Sequence, residues 1–151
     1  VGSEMCIRDS YYSYFREWSN HNNFYYAAEN TGFKPNIHRT EGTYTKYSSI
    51  DDRIDGFHHW FALIKFGHGR CTSNAAREVR EGFITREEAV SLVKKYDCEF
   101  PKKYFKDFLE YMSISREEFF QIADRFRNER IWVKKNDKLP EEDQWEKINL
   151  P

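Results

Sequence analysis

What this chain can fold into is constrained most by two helix-start signals of the same form, TREE at residues 85–88 and SREE at residues 115–118. In such a capping box the Thr or Ser hydroxyl accepts a backbone N–H bond, and the Glu accepts one from the cap residue. Apolar residues at helical spacing follow both boxes: Ala89, Leu92, Val93 and Tyr96, then Phe119, Ile122, Ala123 and Phe126. The pattern predicts two amphipathic helices in a compact helical unit.

The most apolar helix is predicted upstream of the boxes. Its apolar face is formed by Ile50, Ile54, Phe57, Phe61 and Ile64. Ser49, Asp51 and Asp52 suit its start, because negative charge is stabilised at the positive end of a helix dipole. We expect this helix to be central and largely buried.

Other signals predict further helices and a single strand. Ser19 is placed to cap a helix over residues 20–30, and a short helix is expected over residues 74–81. Pro101 suits the first turn of another helix. The aromatic run YYSYF favours one short strand near residues 11–15. The predicted fold class is therefore mainly α.

Composition excludes several classes of protein. The 24 basic and 25 acidic residues nearly balance, which argues against nucleic-acid binding, because phosphate binders usually carry excess positive charge. No apolar run reaches the roughly 20 residues that span a bilayer, so we expect no membrane insertion and a cytoplasmic location. The three cysteines form no C-x-x-C pair, which gives no indication of a disulfide framework or a cysteine-rich zinc site.

One positively charged, glycine-containing segment, KFGHGRCTS at residues 65–73, is a candidate anion site. Gly67 and Gly69 can adopt positive φ and let backbone N–H groups converge, while Lys65 and Arg70 supply charge beside a helix start. A phosphate cradle is one interpretation. The alternative is a glycine-terminated helix whose cations bond the last carbonyl groups.

Two weaker chemical patterns also have structural alternatives. Asp55 and His59 are four residues apart, a spacing that suits metal binding or proton transfer, but also a negative helix start paired with neighbouring cations. Cys71 lies near His68 and could be a nucleophile, although a small buried thiol is the more common role. We predict no metal site and assign no catalytic residue.

Three longer segments together resemble a known family: WSNHNNFYYAAENTGF, EGTYTKYSSIDDRIDGFHHWFALIKFGHGR and ITREEAVSLVKKYDCEFPKKYFKDFLEYM. Over roughly residues 11–135 the chain resembles the C-terminal portion of N-acetyl sugar amidotransferases of surface-polysaccharide biosynthesis. The resemblance implies an ATP-pyrophosphatase (PP-loop) enzyme that converts a sugar acetamido group to an acetamidino group. The family's S-G-G-x-D-S phosphate loop does not occur in the sequence, so we expect the chain alone to be inactive.

The resemblance also implies ligands, partners and a domain arrangement. We expect ATP with Mg, bound mainly by the preceding part of the enzyme, a nucleotide sugar substrate, and ammonia-supplying partners similar to the glutaminase and cyclase subunits of imidazole glycerol phosphate synthase. Lys65, Gly67, Gly69, Arg70, Asp51 and Asp52 are the candidate substrate or phosphate contacts. The alternative function is a non-catalytic helical module that docks the glutaminase partner or a second copy through surface aromatic residues such as Trp132 and Trp145.

Four segments follow from this interpretation. Residues 1–10, VGSEMCIRDS, lack periodicity, begin with Val and resemble translated sequencing-adapter read-through, so we expect a non-native or disordered leader. We assign residues 11–48 to the end of an α/β catalytic region and a loop, and residues 49–130 to a helical C-terminal region. Residues 131–151 are predicted to form a tail arm.

Overall fold

A computed structural model describes residues 10–148, which fall into two compact units divided after Lys34. The leader predicted for residues 1–10 lies outside the described residues except for Ser10. In the described part of the chain, no helix has both the length and the apolar character needed to cross a membrane.

Residues 10–34, the first unit, contain a 3-10 turn, Tyr12–Tyr14, and helix α1, Asn20–Asn30. The prediction of a strand near residues 11–15 is wrong, because the backbone bonds there are local: the N–H of Tyr14 donates to the Tyr11 carbonyl. Ser19 caps α1 as predicted, accepting a bond from the Asn22 N–H at 3.2 Å.

The second unit, from residue 35 onward, holds five helices and a small hairpin within its described residues. They are α2 Asp55–Phe66, α3 Arg70–Arg80, α4 Arg86–Tyr96, α5 Phe105–Met112, α6 Arg116–Arg125, β1 Trp132–Lys134 and β2 Trp145–Lys147. The two strands are antiparallel, with Val133 opposite Glu146. This arrangement confirms the mainly α fold class.

Both capping boxes are present where they were predicted. The Thr85 hydroxyl accepts the Glu88 N–H at 3.2 Å, and the Ser115 hydroxyl accepts the Glu118 N–H at 3.1 Å. Each Glu carboxylate accepts a bond from the N–H of its cap residue at 2.7 Å. The starts of α4 and α6 therefore follow directly from local sequence.

Helix α2 begins later than predicted, at Asp55 rather than near Ser49. Ser49 has a positive φ of 53°, and Ile50 is 43% exposed, so neither belongs to the helix or the core. The Ser49 hydroxyl instead donates to the Asp55 carboxylate. Residues 49–54, which the apolar periodicity assigned to the start of α2, therefore form an irregular loop. This loop contacts the first residue of the helix through Ser49.

Two other helix starts also differ from prediction. Pro101 precedes α5, which begins at Phe105 after the cap residue Tyr104. The helix expected to start near residue 74 begins earlier, at Arg70, with Gly69 as its cap residue. For α3, contacts of the Asp97 carboxylate with Gly69 and Thr72, described below, hold the start.

One aromatic core holds the second unit together. Its buried members are Phe57, Trp60, Leu63, Ile64, Phe100, Phe105, Phe108, Phe119, Phe120, Ala123 and Trp132. Phe57 stacks on Phe108 with ring centroids 4.2 Å apart, and Trp60 stacks on Phe119 at 5.6 Å. Aromatic rings of α2 therefore pack against rings of α5 and α6. Because this packing determines which face of α2 is buried, it also determines which face of α2 points away from the core.

The hairpin places part of the predicted tail arm in this core. Trp132 is 6% exposed, and its indole N–H donates to the Ile64 carbonyl at 2.9 Å. The expectation that Trp132 is a surface residue is therefore wrong. Its burial removes one of the two aromatic residues on which the docking alternative depended.

Candidate functional site

The outer cleft lies between the loop that precedes α2 and the segment that leads into α5. It has a volume of about 320 Å³, within the range of roughly 300–1,000 Å³ that is usual for small-molecule sites. Its walls are formed by residues 36–41, by Ser49, Ile50, Asp52 and Arg53, by Gly56 and Phe57 of α2, and by Pro101, Lys103 and Tyr104. Aromatic rings and charged side chains are thus combined in one concave surface.

Basic groups of the outer cleft surround one tyrosine ring. The Arg53 guanidinium carbon lies 5.5 Å from the centroid of the Tyr104 ring, and the Lys103 Nζ lies 4.7 Å from it. Arg53 also pairs with Asp107 at 2.9 Å, but its side chain is 71% exposed. An aromatic ring flanked by exposed cations can stack a sugar or base and contact an anionic group.

An ion pair holds the loop that forms one wall. Arg39 makes a two-pronged contact with Glu99, at 2.6 and 2.7 Å, although the two residues are 60 positions apart in sequence. The Gly42 N–H also donates to Glu99 at 2.8 Å. Hydrogen bonding from Arg39 outweighs burial and lowers the pKa of the Glu99 carboxyl, so Glu99 is ionised and the loop is held near neutral pH.

The inner cavity adjoins the outer cleft and is much smaller, at about 10 Å³. The two share five lining residues, Thr40, Glu41, Ser49, Gly56 and Pro101. His59, Arg70, Asp97 and Glu99 also line the inner cavity. The outer cleft thus adjoins a small space lined by ionisable groups.

Asp55 organises the polar groups beside the inner cavity. Its carboxylate accepts bonds from the Arg70 guanidinium and from the Ser49 hydroxyl. His59, one turn along α2, places Nε2 3.5 Å from the other Asp55 oxygen. This cluster contains a fixed anion, a fixed cation and a partly exposed imidazole.

The cluster changes the acidity of two of its members. Burial alone would raise the pKa of the Asp55 carboxyl, but bonds from Ser49 and Arg70 outweigh it and lower that pKa. Burial lowers the pKa of His59, and the charge of Arg70 lowers it further. Asp55 is therefore ionised and His59 neutral near pH 7, a state in which the imidazole can accept a proton.

The start of α3 already binds an anionic group, the carboxylate of Asp97. This carboxylate is buried and accepts bonds from the Gly69 N–H at 3.0 Å, the Thr72 N–H at 2.9 Å and the Thr72 hydroxyl at 2.7 Å. A Cβ atom at Gly69 would lie 2.8 Å from Asp97 Oδ1, so the contact requires glycine. An anion contact at this segment stays a prediction, because within this chain the Asp97 carboxylate already accepts these N–H groups.

The two glycines of this segment adopt different conformations. Gly67 ends α2 with a φ of 78°, as the glycine-terminated helix interpretation expected. Gly69 has a φ of −105°, so the expectation of positive φ is wrong there. The Gly67 carbonyl accepts a bond from Lys147 of the hairpin rather than from a cation of the segment itself.

The structure does not bring all six predicted contact residues together. Arg70 lines the inner cavity, and Asp52 lines the outer cleft, where its carboxylate accepts the Ile54 N–H at 2.7 Å. Lys65 lies 4.2 Å from the centroid of the Phe126 ring, and neither it nor Asp51 lines either space. Anion contacts by these residues stay predictions.

The thiol and metal interpretations can be compared with the structure. Cys71 is fully buried, and burial raises the pKa of its thiol to about 12, which suits a core residue and not a nucleophile. Among residues 10–148, no group of three or more His, Cys, Asp and Glu side chains could hold a metal ion. Asp55 and His59 do meet, but in the cluster with Arg70.

Sequence reasoning missed several residues of the site. Arg39 lies in residues 11–48, which were assigned only to the end of a catalytic region and a loop, and Glu99, Lys103 and Tyr104 were not among the candidate contacts. Their contacts join parts of the chain far apart in sequence, so no local pattern indicates them. Glu99, Lys103 and Tyr104 fall within residues 84–112, a segment that carries the family resemblance, and this is the sequence signal available for them.

One comparison with known proteins identifies the family. The model of the C-terminal domain of WbpG-like LPS biosynthesis proteins matches residues 41–149, which include every residue of the inner cavity except Thr40. No individually curated protein matches the chain. The chain therefore belongs to the family of WbpG-like lipopolysaccharide biosynthesis proteins and carries their C-terminal domain.

Proposed function

We propose that this domain is part of an ATP-dependent N-acetyl sugar amidotransferase of lipopolysaccharide biosynthesis. The enzyme converts the acetamido group of a nucleotide sugar to an acetamidino group, and ammonia comes from glutaminase and cyclase-like partners. ATP with Mg is bound mainly by a PP-loop region outside the residues described above. Membership of the family and the resemblance of residues 11–135 support this assignment.

The observation that carries the proposal is the outer cleft and its connection to the inner cavity. We assign the outer cleft to the sugar nucleotide, with Tyr104 beside a ring of the ligand and with Arg53 and Lys103 near its phosphates. The acetamido group then faces the inner cavity, where Arg70 and His59 lie. Cations beside an aromatic ring suit an anionic carbohydrate better than they suit an uncharged apolar ligand.

Two reactions of the enzyme that carries this domain test the assignment. Adenylation of the acetamido oxygen predicts nucleotide-sugar-dependent exchange of labelled pyrophosphate into ATP. The complete reaction predicts AMP and a product in which an imino group replaces the amide oxygen, which mass spectrometry detects. An enzyme that forms neither, with nucleotide N-acetyl sugars and ammonium supplied, contradicts the proposal.

The position of the sugar nucleotide has its own test. Arg53→Ala combined with Lys103→Ala is expected to raise KM for the nucleotide sugar roughly tenfold, the effect of losing about one charge-assisted contact. Lys106→Ala is the matched control, because that lysine lies on α5 with its side chain 88% exposed and does not line the cleft. Equal KM values in the double variant and the control would place the ligand elsewhere.

A further inference from the structure

We propose that the inner cavity holds the attacking ammonia and that His59 accepts its proton. The inference rests on the proposed amidotransferase function and adds a site and a catalytic residue to it. Three observations support it: the size of the cavity, its position next to the outer cleft, and the arrangement of charges around the imidazole.

The inner cavity has the size of a single small molecule. Its volume of about 10 Å³ compares with the roughly 10–15 Å³ that one water molecule needs, and ammonia is about as large as water. A sugar or a nucleotide does not fit this space. Because Thr40, Ser49 and Gly56 line both spaces, a molecule in the inner cavity lies next to the occupant of the outer cleft.

The surroundings of His59 favour a neutral imidazole with one nitrogen available. Asp55 lies 3.5 Å from Nε2, so the tautomer that carries its proton on Nε2 directs it toward the carboxylate and leaves Nδ1 as the acceptor. Asp55 is thus a positioning residue. Arg70 from α3 and the adjacent His58 oppose protonation of the ring, whereas Asp55 and Asp97 favour it.

Burial of the side chain decides this balance. Desolvation has the largest effect on the pKa of His59 and lowers it, so the ring is neutral at the pH of most cytoplasmic reactions. The ring is still 27% exposed and can exchange its proton with solvent between turnovers. Both properties suit a general base.

The chemical step balances with these groups. Once the amide oxygen is bonded to the α-phosphate of ATP and pyrophosphate has left, the ammonia nitrogen bonds to the amide carbon. One proton of that nitrogen passes to His59. The carbon–oxygen bond then breaks, its electron pair and the former amide oxygen leave with AMP, and the sugar carries an amidinium group. His59 returns its proton to solvent.

The test separates the two stages of the reaction in the enzyme that carries this domain, with ammonium chloride as the nitrogen source. His59→Asn is expected to keep sugar-dependent pyrophosphate exchange, which needs no proton acceptor for ammonia, and to slow amidine formation roughly a hundredfold or more. Added imidazole is expected to restore part of this rate. His68→Asn is the matched control, because His68 is exposed and lines neither the outer cleft nor the inner cavity, and it should change neither stage.

Each other outcome contradicts a specific claim. Amidine formation within twofold of the unmodified enzyme in His59→Asn overturns the role of His59. A parallel loss of exchange and amidine formation, without rescue by imidazole, assigns His59 a structural role and also overturns it. Absence of exchange in the unmodified enzyme overturns the proposed function instead.

Discussion

Arg70 and Arg127 are both largely buried, with side chains 18% and 4% exposed, but their surroundings differ. Arg70 bonds to Asp55 and Ser49 beside the inner cavity. Arg127 lies among three indole rings, with its guanidinium carbon 5.1–5.7 Å from the ring centroids of Trp60, Trp132 and Trp145. We call these three rings and Arg127 the tryptophan cluster.

These different surroundings indicate that the charges of Arg70 and Arg127 have different roles. Arg127 has one carboxylate partner, Asp124 at 2.9 Å, and its Nη2 has no hydrogen-bond acceptor among the described residues. Burial lowers the pKa of Arg127, and the aromatic faces provide its main favourable contacts. We interpret Arg127 as a structural cation that ties α6 to the hairpin, and Arg70 as a cation of the site.

The largest effect on stability is expected in the tryptophan cluster. Arg127→Ala should lower the free energy of unfolding by about 2–4 kcal/mol, because it removes the cation–π contacts of the guanidinium and the packing of its stem against three rings. Urea unfolding of the chain measures this. Arg125→Ala, two residues earlier and exposed, should stay within about 0.5 kcal/mol of the unmodified chain. Similar values for the two variants would contradict a structural role for Arg127.

The anion that caps α3 is expected to have the next largest effect. Asp97→Ala should lower the free energy of unfolding by about 2–3 kcal/mol, because Gly69 and Thr72 lose the acceptor of their buried N–H groups. Phosphate or sulfate should then stabilise the variant more than the unmodified chain, since the cradle becomes available. If added phosphate raised the melting temperatures of Asp97→Ala and of the unmodified chain equally, Asp97 would not compete with external anions.

Arg70 is expected to affect function more than stability. If its guanidinium contacts a phosphate, Arg70→Ala should lower kcat/KM roughly ten- to a hundredfold, and Arg70→Lys should not restore it fully, because lysine lacks the planar fork. Kinetics and melting curves of the same variants separate the alternatives. If Arg70→Ala lowered the melting temperature but left the kinetic constants unchanged, Arg70 would be a structural cation like Arg127, and its assignment to the site would be wrong.

The smallest expected effect is on the pH dependence of the free energy of unfolding. This dependence distinguishes the cluster of Asp55, His59 and Arg70 from the tryptophan cluster. Because the folded state lowers the pKa of His59 below the ordinary 6.5, the unfolded chain binds that proton first, and stability falls as pH drops below about 6.5. His59→Asn should make this decline shallower, whereas Arg127→Ala should leave its slope unchanged. Urea unfolding between pH 8 and 5.5 measures both slopes. Identical slopes in His59→Asn and the unmodified chain would contradict the lowered pKa.

Local signals predicted much of the helical framework. The capping boxes at Thr85 and Ser115 and the cap at Ser19 each involve residues only three positions apart, so a short stretch of sequence contains the whole interaction. The start of α2 was misplaced because Ser49 adopts a left-handed conformation and bonds to Asp55, a tertiary contact that periodicity does not reveal.

The site was less predictable than the helices for the same physical reason. Arg70, Gly67 and Gly69 were named as candidate contacts, but Asp97, which binds the Gly69 N–H, lies 28 residues beyond Gly69 in sequence. The pair of Arg39 and Glu99 spans a still longer separation, and neither residue has a diagnostic neighbour pattern. Local sequence indicated where charge is concentrated but not which charges already have partners inside the chain.

The central claim, that the outer cleft receives a nucleotide sugar, is tested most directly by amide chemical-shift perturbation on the 151-residue chain. UDP-N-acetylglucosamine and UDP serve as probes. The account predicts saturable shifts at Thr40, Arg53 and Tyr104 with the sugar nucleotide, and a loss of these shifts in the Arg53→Ala and Lys103→Ala double variant. Shifts confined to the tryptophan cluster, or saturable shifts that are unaffected in the double variant, would contradict it.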